Sequence, residues 1–462
     1  MRILQISRHH WHYAVGGTEV YLRDLVNTLR QRGHVIPVLT FQGSAEYPRD
    51  EDAGSSVIPP IDEIGEPDFR RVAAQFLDAS RPQVGHFHSL KWEELVVAEE
   101  LQKRGIPYVL TYHHPGFSCY RGNLLRWGTD ICDGKVNVLK CASCRIASRT
   151  KLPKAIAYVV ASAIGVTSPA LRLALSRGLH ANLDYWASTS ESTRILHGVL
   201  GGCDTVLACA QWTLDVLRLN GVQDCRVRLV PQGLGDRSRS VVAQRARSER
   251  KTVNVGFVGR ICREKGLDVL VGAMRRVPHR NLRLLVVGWD SDPRNPLEPL
   301  LRESARGDHR IRFLGKLTPT QTSEIYTEFD YLAVPSTWLE TGPLVVWEAL
   351  SHGVPVLASA RIGHPALLDE GRGLLVEPHS VKRWSEVLTA AAEGVLQLAV
   401  KPGTKLRTMD DVALECEALY RSIPGLVAWS LPTTLGAPDD AEKEERNAQS
   451  ERYCVPQTRG GS

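Results

Sequence analysis

Residues 335–355 read PSTWLETGPLVVWEALSHGVP and place Glu340 and Glu348 eight positions apart around a Thr-Gly-Pro turn. The apolar residues just before this stretch, Tyr331 to Val334, predict a buried strand, and those after Pro343 predict a helix. Proline suits the first turn of a helix, because its missing N–H would have no partner there. The stretch is therefore predicted to run strand, loop, helix, which is one unit of a parallel α/β sheet.

The turn inside this stretch has the features of an anion site. Free N–H groups at the start of a helix attract phosphate, and Gly342 has no side chain to block the approach. Glu340 before the helix and Glu348 two turns inside it would then bind polar groups at the two ends of one ligand. The alternative, for such a pair taken alone, is an acid at the helix start and a solvated glutamate.

Strands and helices alternate on both sides of this element. In the second half, strands are predicted at residues 253–258, 282–287, 311–314, 331–334, 354–358 and 374–376. In the first half, they are predicted at residues 1–7, 34–41, 84–88, 107–112, 205–210 and 226–230. The alternation predicts an α/β fold with parallel sheets covered by helices on both faces.

Changes in composition set the predicted domain boundaries. The chain divides into a first Rossmann-like domain (1–235), an Arg- and Ser-rich linker (236–251), a second Rossmann-like domain (252–410), a terminal helix that crosses back (411–431) and a polar, disordered tail (432–462). A cysteine-rich insertion at about residues 119–150 interrupts the first domain.

The composition is that of an ordinary globular protein, with 43% hydrophobic and 23% charged residues. The formal charge of +6 has no basic block, which argues against a nucleic-acid partner. The N-terminal MRILQIS predicts a strand rather than a signal peptide, and no apolar run reaches the length of a membrane span. We therefore expect a cytoplasmic protein, with the inner face of the membrane as an alternative location.

A second candidate anion site lies between the first predicted strand and helix of the second half. Gly259-Arg260 and Lys265-Gly266 supply two cations and two glycines, which suit a diphosphate. The alternative is a surface turn with solvated side chains. In a parallel sheet, this loop and the 335–355 element both lie beyond the carboxyl ends of strands, where ligands bind. That placement favours one shared site.

Taken together, these segments resemble the retaining glycosyltransferases of family 4, which have the GT-B fold of two Rossmann-like domains facing each other across a cleft. The matching segments are GFVGR at 256–260 with Lys265-Gly266, RFLG at 312–315, ETGPL at 340–344, EAL at 348–350 and GVPV at 353–356.

The resemblance implies a role for each matching residue of the second half. Arg260 and Lys265, in the loop that Gly259 opens, would neutralise the diphosphate of a nucleotide-diphosphate-sugar donor as it leaves. Glu348 would bind the ribose, and Glu340 would contact or position the donor sugar. The backbone that would hold the sugar and the distal phosphate is that of Gly342, Pro343 and Leu344.

In the first half, the resemblance singles out a glycine loop and a histidine. Gly16 and Gly17 match the loop that approaches the donor phosphates and the acceptor. His113 matches the histidine near the sugar's reacting centre, and we assign it a positioning role in preference to His114. A structural histidine at the end of a buried strand is the alternative. His86 and His88 would line the acceptor side or instead belong to the core. His9, His10 and His12 lie in a predicted loop near the mouth of the cleft, where acceptor contact is expected and metal binding is the alternative.

Four cysteines of the insertion, two of them in a C-x2-C pair, suggest a structural zinc site. They are Cys119, Cys132, Cys141 and Cys144, with four free thiols as the alternative. Asp290-Ser291-Asp292 resembles the acidic pair of metal-dependent glycosyltransferases but fits a turn better. No catalytic metal or other catalytic cofactor is predicted.

The predicted function is that of a retaining, hexosyltransferase-type enzyme that moves a sugar from a nucleotide-diphosphate-sugar to a glycan or a lipid-linked glycan precursor. Residues 155–175, flanked by lysine and arginine, would either pack on the core or lie on an anionic membrane. Two other classes stay open: a nucleotide-sugar epimerase of the same architecture, and a non-catalytic nucleotide-sugar-binding protein. The sequence does not determine the base, the sugar, the acceptor or the oligomeric state.

Overall fold

The computed structural model describes residues 1–12, 16–42, 55–128, 130–150, 152–166, 184–235, 252–290 and 296–424. The predicted linker (236–251), the predicted tail (432–462) and the end of the predicted helix at 155–175 lie outside the described residues.

The strands of the described chain are β1 (Ile3–His9), β2 (Val38–Gln42), β3 (Ser55–Val57), β4 (Val84–Phe87), β5 (Tyr108–Tyr112), β6 (Leu125–Arg126), β7 (Asp130–Ile131), β8 (Thr205–Ala208), β9 (Val227–Leu229), β10 (Val253–Val258), β11 (Leu282–Val287), β12 (Ile311–Gly315), β13 (Tyr331–Val334), β14 (Val356–Ser359) and β15 (Gly373–Val376). The helices are α1 (Gly17–Gln31), α2 (Ile61–Ile64), α3 (Glu66–Ser80), α4 (Trp92–Lys103), α5 (Val138–Thr150), α6 (Lys154–Val166), α7 (Asp184–Gly202), α8 (Gln211–Leu219), α9 (Leu267–Met274), α10 (Glu298–Ser304), α11 (Pro319–Ile325), α12 (Leu344–Ser351), α13 (Val381–Ala392) and α14 (Met409–Ser422).

The strands form two parallel sheets, one in each half of the chain. The first has the order β3-β2-β1-β4-β5-β8-β9, and the second has the order β12-β11-β10-β13-β14-β15. A short antiparallel hairpin, β6–β7, lies in the insertion of the first half. Two parallel sheets with helical connections are the α/β architecture that the alternating pattern predicts.

Each sheet is buried on both faces, as parallel sheets covered by helices are. In β10, Val255 and Phe257 belong to one hydrophobic cluster of the second half. On the neighbouring β11, Leu285 and Val287 belong to the cluster on the opposite face. The sheets therefore form the rigid base from which the loops at the strand ends project.

The last described helix, α14, packs against α1 at the far end of the chain. Cys416 and Tyr420 are fully buried in one cluster with Leu22 and Leu25 of α1. Helix α14 thus adds to the core of the first half, although it follows the second half in sequence.

The insertion and the helix that follows it share a small apolar cluster, built from α5 and α6. Ala157 and Ala161 of α6 pack there, whereas Tyr158 and Val159 on the same helix are exposed. Within the described residues, no helix combines the length and the apolar character needed to cross a bilayer.

Candidate active site

The 335–355 element lies directly against the first half of the chain. Trp212 Nε1, at the start of α8, donates a hydrogen bond of 2.7 Å to the carbonyl oxygen of Glu340. Thr341 Oγ1 donates one of 2.8 Å to the carbonyl oxygen of His113, which follows β5. These bonds place the turn of the second half at the carboxyl end of the first sheet, so the two halves share one cleft.

Glu340 is buried and held by three donors. Its Oε1 accepts hydrogen bonds from Lys265 Nζ (2.7 Å), Ser336 Oγ (2.6 Å) and Trp338 Nε1 (2.9 Å). Burial by itself raises the pKa of Glu340, but the Lys265 ammonium and the hydrogen bonds outweigh burial, so the pKa lies below its ordinary value. The carboxylate is therefore ionised and fixed in position.

Lys265 reaches Glu340 because two loops of the second half touch. It ends a single 3-10 turn after β10, and Gly266, with φ +67°, is then the N-cap of α9. A Cβ at Gly266 would lie 2.1 Å from the carbonyl oxygen of Pro335, so only glycine permits this approach. Thr337 N–H donates to the Glu264 carbonyl oxygen at 2.8 Å, which joins the same loops.

Arg260, the other predicted cation, is exposed. Its charge acts to lower the pKa values of Glu19 and His114, both of which belong to the first half. Burial is the largest influence on Glu19 and leaves its pKa raised. Unlike Lys265, Arg260 forms no ion pair with any acid of the described chain.

Glu348 lies two turns into α12, where Tyr326 OH donates to its Oε2 at 2.7 Å. Burial raises the pKa of Glu348, and the Tyr326 hydrogen bond offsets part of that rise. Asp24 and Arg23 of α1 are close enough to influence the same pKa. Glu348 therefore faces α1 across the cleft.

The start of α12 differs in one detail from the prediction. Pro343 is the N-cap, with extended backbone, and Leu344 is the first helical residue. No side chain of the described residues caps this helix. A Cβ at Gly342 would lie 3.2 Å from Gln232 Oε1, a buried oxygen without a partner in the described part of the chain.

The glycine loop of the first half begins α1. Gly16 is the N-cap and Gly17 the first helical residue. The Glu19 carboxylate accepts hydrogen bonds from the backbone of Gly16 and of Glu19 itself, which fixes this carboxylate to its own loop. A Cβ at Gly16 would lie 2.6 Å from Glu19 Oε2, whereas one at Gly17 would meet nothing within 4 Å.

His113 is buried in a hydrogen-bonded chain with His88 and Gln5. His88 Nδ1 lies 2.9 Å from His113 Nε2, and His88 Nε2 lies 2.7 Å from Gln5 Oε1. An amide oxygen only accepts, so His88 carries its proton on Nε2 and accepts at Nδ1 from His113 Nε2–H. The remaining nitrogen, His113 Nδ1, is a buried acceptor without a partner among the described residues.

Burial also keeps this chain neutral. The pKa values of His88 and His113 lie well below the ordinary histidine value, chiefly because the charged form would lose its hydration. His86 belongs to the core: its Nδ1 lies 2.7 Å from Tyr420 OH, its Nε2 2.6 Å from Thr111 Oγ1, and burial lowers its pKa to about 3.

A cavity of about 330 Å³ opens in the first half beside these residues. Its walls include Glu19, His88 and His114, but His113 is not among them. His114 Nδ1 accepts from Gly116 N–H at 3.0 Å. Burial, followed by the charges of Lys91 and Arg260, lowers the pKa of His114 to about 4. His114 therefore lies on the cavity wall, whereas the adjacent His113, which the sequence favoured for the positioning role, does not.

Sequence reasoning missed two further cavity residues, Lys91 and Arg121. Lys91 follows β4 at the carboxyl end of the sheet, where ligands bind, so its position was a usable signal. Arg121 lies in the insertion, and no pattern in the sequence distinguishes it.

The predicted zinc site is not assembled. Among the described residues, no group of three or more His, Cys, Asp or Glu side chains could hold a metal ion. The amide N–H of Trp127 donates to Cys144 Sγ at 3.2 Å, and Cys132 Sγ donates to Asp133 Oδ1 at 3.5 Å. Burial raises the pKa values of Cys132 and Cys141, which favours thiols over the thiolates that zinc requires.

Both halves of the chain match models of known families. Residues 15–148 match Glycosyltransferase Family 4, and residues 252–393 match Glycosyl transferases group 1. Together the two matches cover more than half of the chain.

Curated relatives match over shorter stretches. The D-inositol 3-phosphate glycosyltransferase of Corynebacterium glutamicum (strain R) is 39% identical over 142 residues, which are 29% of this chain and 34% of the relative. The same-named protein of Corynebacterium aurimucosum is 32% identical over 233 residues, 47% of this chain and 55% of the relative. The chain thus spans between about a third and a little over half of these relatives' length.

Solved structures match over nearly the whole chain. Sucrose-phosphate synthase from Thermosynechococcus elongatus gives a TM-score of 0.60 at 21% identity, covering 91% of this chain and 98% of that one. Anabaena Alr3699/HepE in complex with UDP gives a TM-score of 0.56 at 16% identity, covering 93% and 97%.

These likenesses, with two parallel α/β sheets facing one cleft, define the GT-B fold that the sequence predicted. The chain belongs to the GT-B glycosyltransferases of family 4, glycosyl transferases group 1.

Proposed function

We propose that this protein transfers a sugar from a nucleotide-diphosphate-sugar donor to an acceptor with retention of anomeric configuration. One observation carries the proposal. Lys265, Glu340 and Glu348 lie on neighbouring loops and a helix of the second half, and the charge of Arg260 acts on His114 of the first half. This is the arrangement that a diphosphate flanked by two sugars requires.

The cations would bind the donor diphosphate and stabilise it as it leaves. The ammonium of Lys265 has three N–H donors, and its bond to Glu340 uses one of them. Arg260 is exposed, and its guanidinium would bind two phosphate oxygens at once. Negative charge grows on the diphosphate in the transition state, so these contacts strengthen as the reaction proceeds.

The carboxylates would bind the sugars on either side. Glu348 would accept hydrogen bonds from the ribose hydroxyls, and Glu340 would position the transferred sugar. His113 Nδ1, an acceptor without a partner in the described residues, would take a hydrogen bond from a donor-sugar hydroxyl, which gives His113 a positioning role. Gly16 and Gly17 would let the backbone approach the phosphates, and the start of α12 would bind the distal one.

A same-face displacement best explains retention of the anomeric configuration. The acceptor oxygen forms its bond to the anomeric carbon as the bond from that carbon to the phosphate oxygen breaks, and the acceptor's proton passes to the leaving phosphate. A double displacement needs a free carboxylate under the anomeric carbon. Glu340, Glu348 and Glu19 are each held by hydrogen bonds, which favours the single-step route.

The acceptor would bind on the first domain, where the cavity lies. A glycan or a lipid-linked glycan precursor is the proposed class. The exposed face of α6, with Tyr158 and Val159, is where a membrane carrying such a lipid would lie.

Nuclear magnetic resonance of donor incubations tests the proposal. A thermal-shift screen across nucleotide-sugars first identifies the donor. We then expect slow release of nucleoside diphosphate and of a sugar whose first-formed anomer matches the donor. A donor converted to its epimer without diphosphate release would establish an epimerase. A donor that binds but stays intact, with and without acceptors, would establish a binding protein.

Lys265→Gln tests the role of this cation in the same assay. It should bind the donor more weakly and release less diphosphate, because the leaving group loses a cation. Equal turnover in this variant would contradict the assigned role.

A further inference from the structure

The cavity in the first domain carries an excess of positive charge. Its walls contain three cations, Arg8, Lys91 and Arg121, and a single acid, Glu19. Glu19 is bound to the backbone of its own loop, and Arg8 lies 3.6 Å from Glu93, an acid outside the cavity walls. Lys91 and Arg121 form no ion pair with any acid of the described chain.

Arg121 is the more informative of these two cations. Its Nη1 is shielded from solvent and has no hydrogen-bond partner among the described residues. The guanidinium packs close to Gly128, where a Cβ would lie 3.4 Å from Nη2. A shielded guanidinium nitrogen without an acceptor is costly, so this group is suited to a ligand that supplies one.

The histidines of the cavity do not change this balance. Burial lowers the pKa values of His9, His88 and His114, so all three are neutral near pH 7 and can act as hydrogen-bond partners. Neutral walls with two unpaired cations favour a ligand that is polar over most of its surface and negative at one point.

These cations are distinct from those assigned to the donor. Arg260 and Lys265 belong to the second domain, whereas Lys91 follows β4 of the first and Arg121 lies in its insertion. The charges of Lys91 and Arg260 both lower the pKa of His114, so both cations act on this ring. An anion at Lys91 and Arg121 would lie in the cavity of the first domain, whereas the donor diphosphate is assigned to cations of the second.

We propose that the acceptor is a phosphorylated sugar and that Lys91 and Arg121 bind its phosphate. The proposal rests on the proposed function, since it concerns the acceptor of that transfer. The cavity volume of about 330 Å³ lies at the lower end of the range for small-ligand sites, which suits one sugar with its phosphate. The phosphate belongs either to a soluble sugar phosphate or to a lipid-linked sugar diphosphate, and both present the same chemistry to Lys91 and Arg121.

Binding of inorganic phosphate at low ionic strength is the first test. We expect Lys91→Gln and Arg121→Gln each to weaken phosphate binding by at least about tenfold, because each removes one of two cations from the anion. Arg121→Lys should retain part of the affinity. Arg71→Gln is the matched control, because the Arg71 side chain is 60% exposed, pairs with Asp68 and is not part of the cavity wall. In an Arg260→Gln protein, phosphate should still bind.

Transfer assays complete the test and separate the two sources. Glucose 6-phosphate and a prenyl-diphosphate-linked sugar in vesicles are the two alternative acceptors. The acceptor that the wild-type protein uses should show a KM about tenfold higher in Lys91→Gln, and the affinity for the donor should not change. The proposal would be overturned if wild type and both cavity variants bound phosphate equally, or if only Arg260→Gln lost phosphate binding. A neutral sugar used with the same KM by all variants would overturn it as well.

The two proposals can fail separately. If the cavity variants lose phosphate binding but the wild-type protein binds no nucleotide-sugar, the anion site is upheld and the transferase function is rejected. If the Lys91 and Arg121 variants turn over the nucleotide-sugar and its acceptor as the wild type does, the transferase function is upheld and the anion site is rejected.

Discussion

The ion pair between Lys265 and Glu340 connects two loops that belong to different βα units. Glu340 is 6% exposed, and its Oε1 takes all three of the donors that surround it. A buried carboxylate in this state depends on its cation: removing the cation leaves the negative charge without compensation. The pair is therefore both a structural link and a means of fixing Glu340 where a donor sugar would lie.

Lys265→Met is expected to lower the free energy of unfolding by about 3 kcal/mol, because it leaves Glu340 buried without its partner. The double variant Lys265→Met/Glu340→Gln should lose less than the two single changes added together, since neither charge then remains. Denaturant unfolding of the four proteins measures this. Arg306→Met breaks an exposed pair with Glu303 and should cost about 0.5 kcal/mol or less. Additive losses would contradict the coupling.

The same pair predicts a pH dependence. The pKa of Glu340 in the folded protein is below its ordinary value of 4.5, so the unfolded chain binds the proton more readily. The stability that Glu340 contributes is fully present above pH 4.5 and is lost as the pH falls through the lower, folded value. Wild type and Glu340→Gln should therefore converge in stability at acid pH. A constant difference across that range would show that Glu340 is not ionised in the fold.

At this scale the sequence predicted a set of donor-side residues but not their hydrogen-bond partners. Arg260, Lys265, Glu340 and Glu348 stand at strand ends in recognisable motifs, so a parallel sheet alone predicts that they lie near one another. Tyr326, which binds Glu348, comes from a turn after α11, and nothing local marks it. The roles of these residues remain proposals.

Among the elements, the loop between β10 and α9 is the one most constrained by backbone geometry. Gly266 has left-handed backbone and lies against the Pro335 carbonyl, so two separate requirements exclude a side chain there. Lys265 precedes it, and any shift of the loop would move the ammonium away from Glu340.

Gly266→Ala is expected to destabilise the protein by about 2–4 kcal/mol, combining the left-handed backbone with a clash. Gly307→Ala is the matched control: its φ is +82°, but a Cβ there would meet nothing within 4 Å, so only the backbone cost of about 1–2 kcal/mol applies. Thermal or denaturant unfolding compares them. Equal losses in the two variants would show that Gly266 does not touch Pro335.

The elements that the sequence missed include the short strands β3, β6 and β7 and helices whose stability comes from packing. Helix α7 is rich in Ser, Thr and Gly, which are poor helix formers. Cations hold it in place: Arg145 of α5 lies 4.2 Å from the Tyr185 ring, and Arg194 lies 4.1 Å from the Trp92 ring. Such contacts exist only in the folded chain. In the insertion, the cysteine spacing suggested a zinc-bound loop, whereas residues 138–150 form helix α5.

For the whole molecule, the cleft is shaped by contacts that cross between the halves. Trp212 and Thr341 bond across it near Glu340, and α14 returns from the second half to pack on α1. The regular alternation of strands and helices was enough to predict parallel α/β sheets in both halves, and the resemblance of the motifs to family 4 then predicted the GT-B fold. The path of the chain between them, residues 236–251, lies outside the described residues, so its geometry stays a prediction.

Calorimetric titration of the nucleotide-sugar chosen by the thermal-shift screen measures most directly whether this cleft is a donor site. Wild type should bind it, and Arg260→Gln and Glu348→Gln should each bind at least about tenfold more weakly, a loss of about 1.4 kcal/mol or more. Arg306→Gln, whose side chain is 78% exposed, should bind like wild type. Affinities unchanged in Arg260→Gln and Glu348→Gln would contradict the assignment of the donor to this cleft.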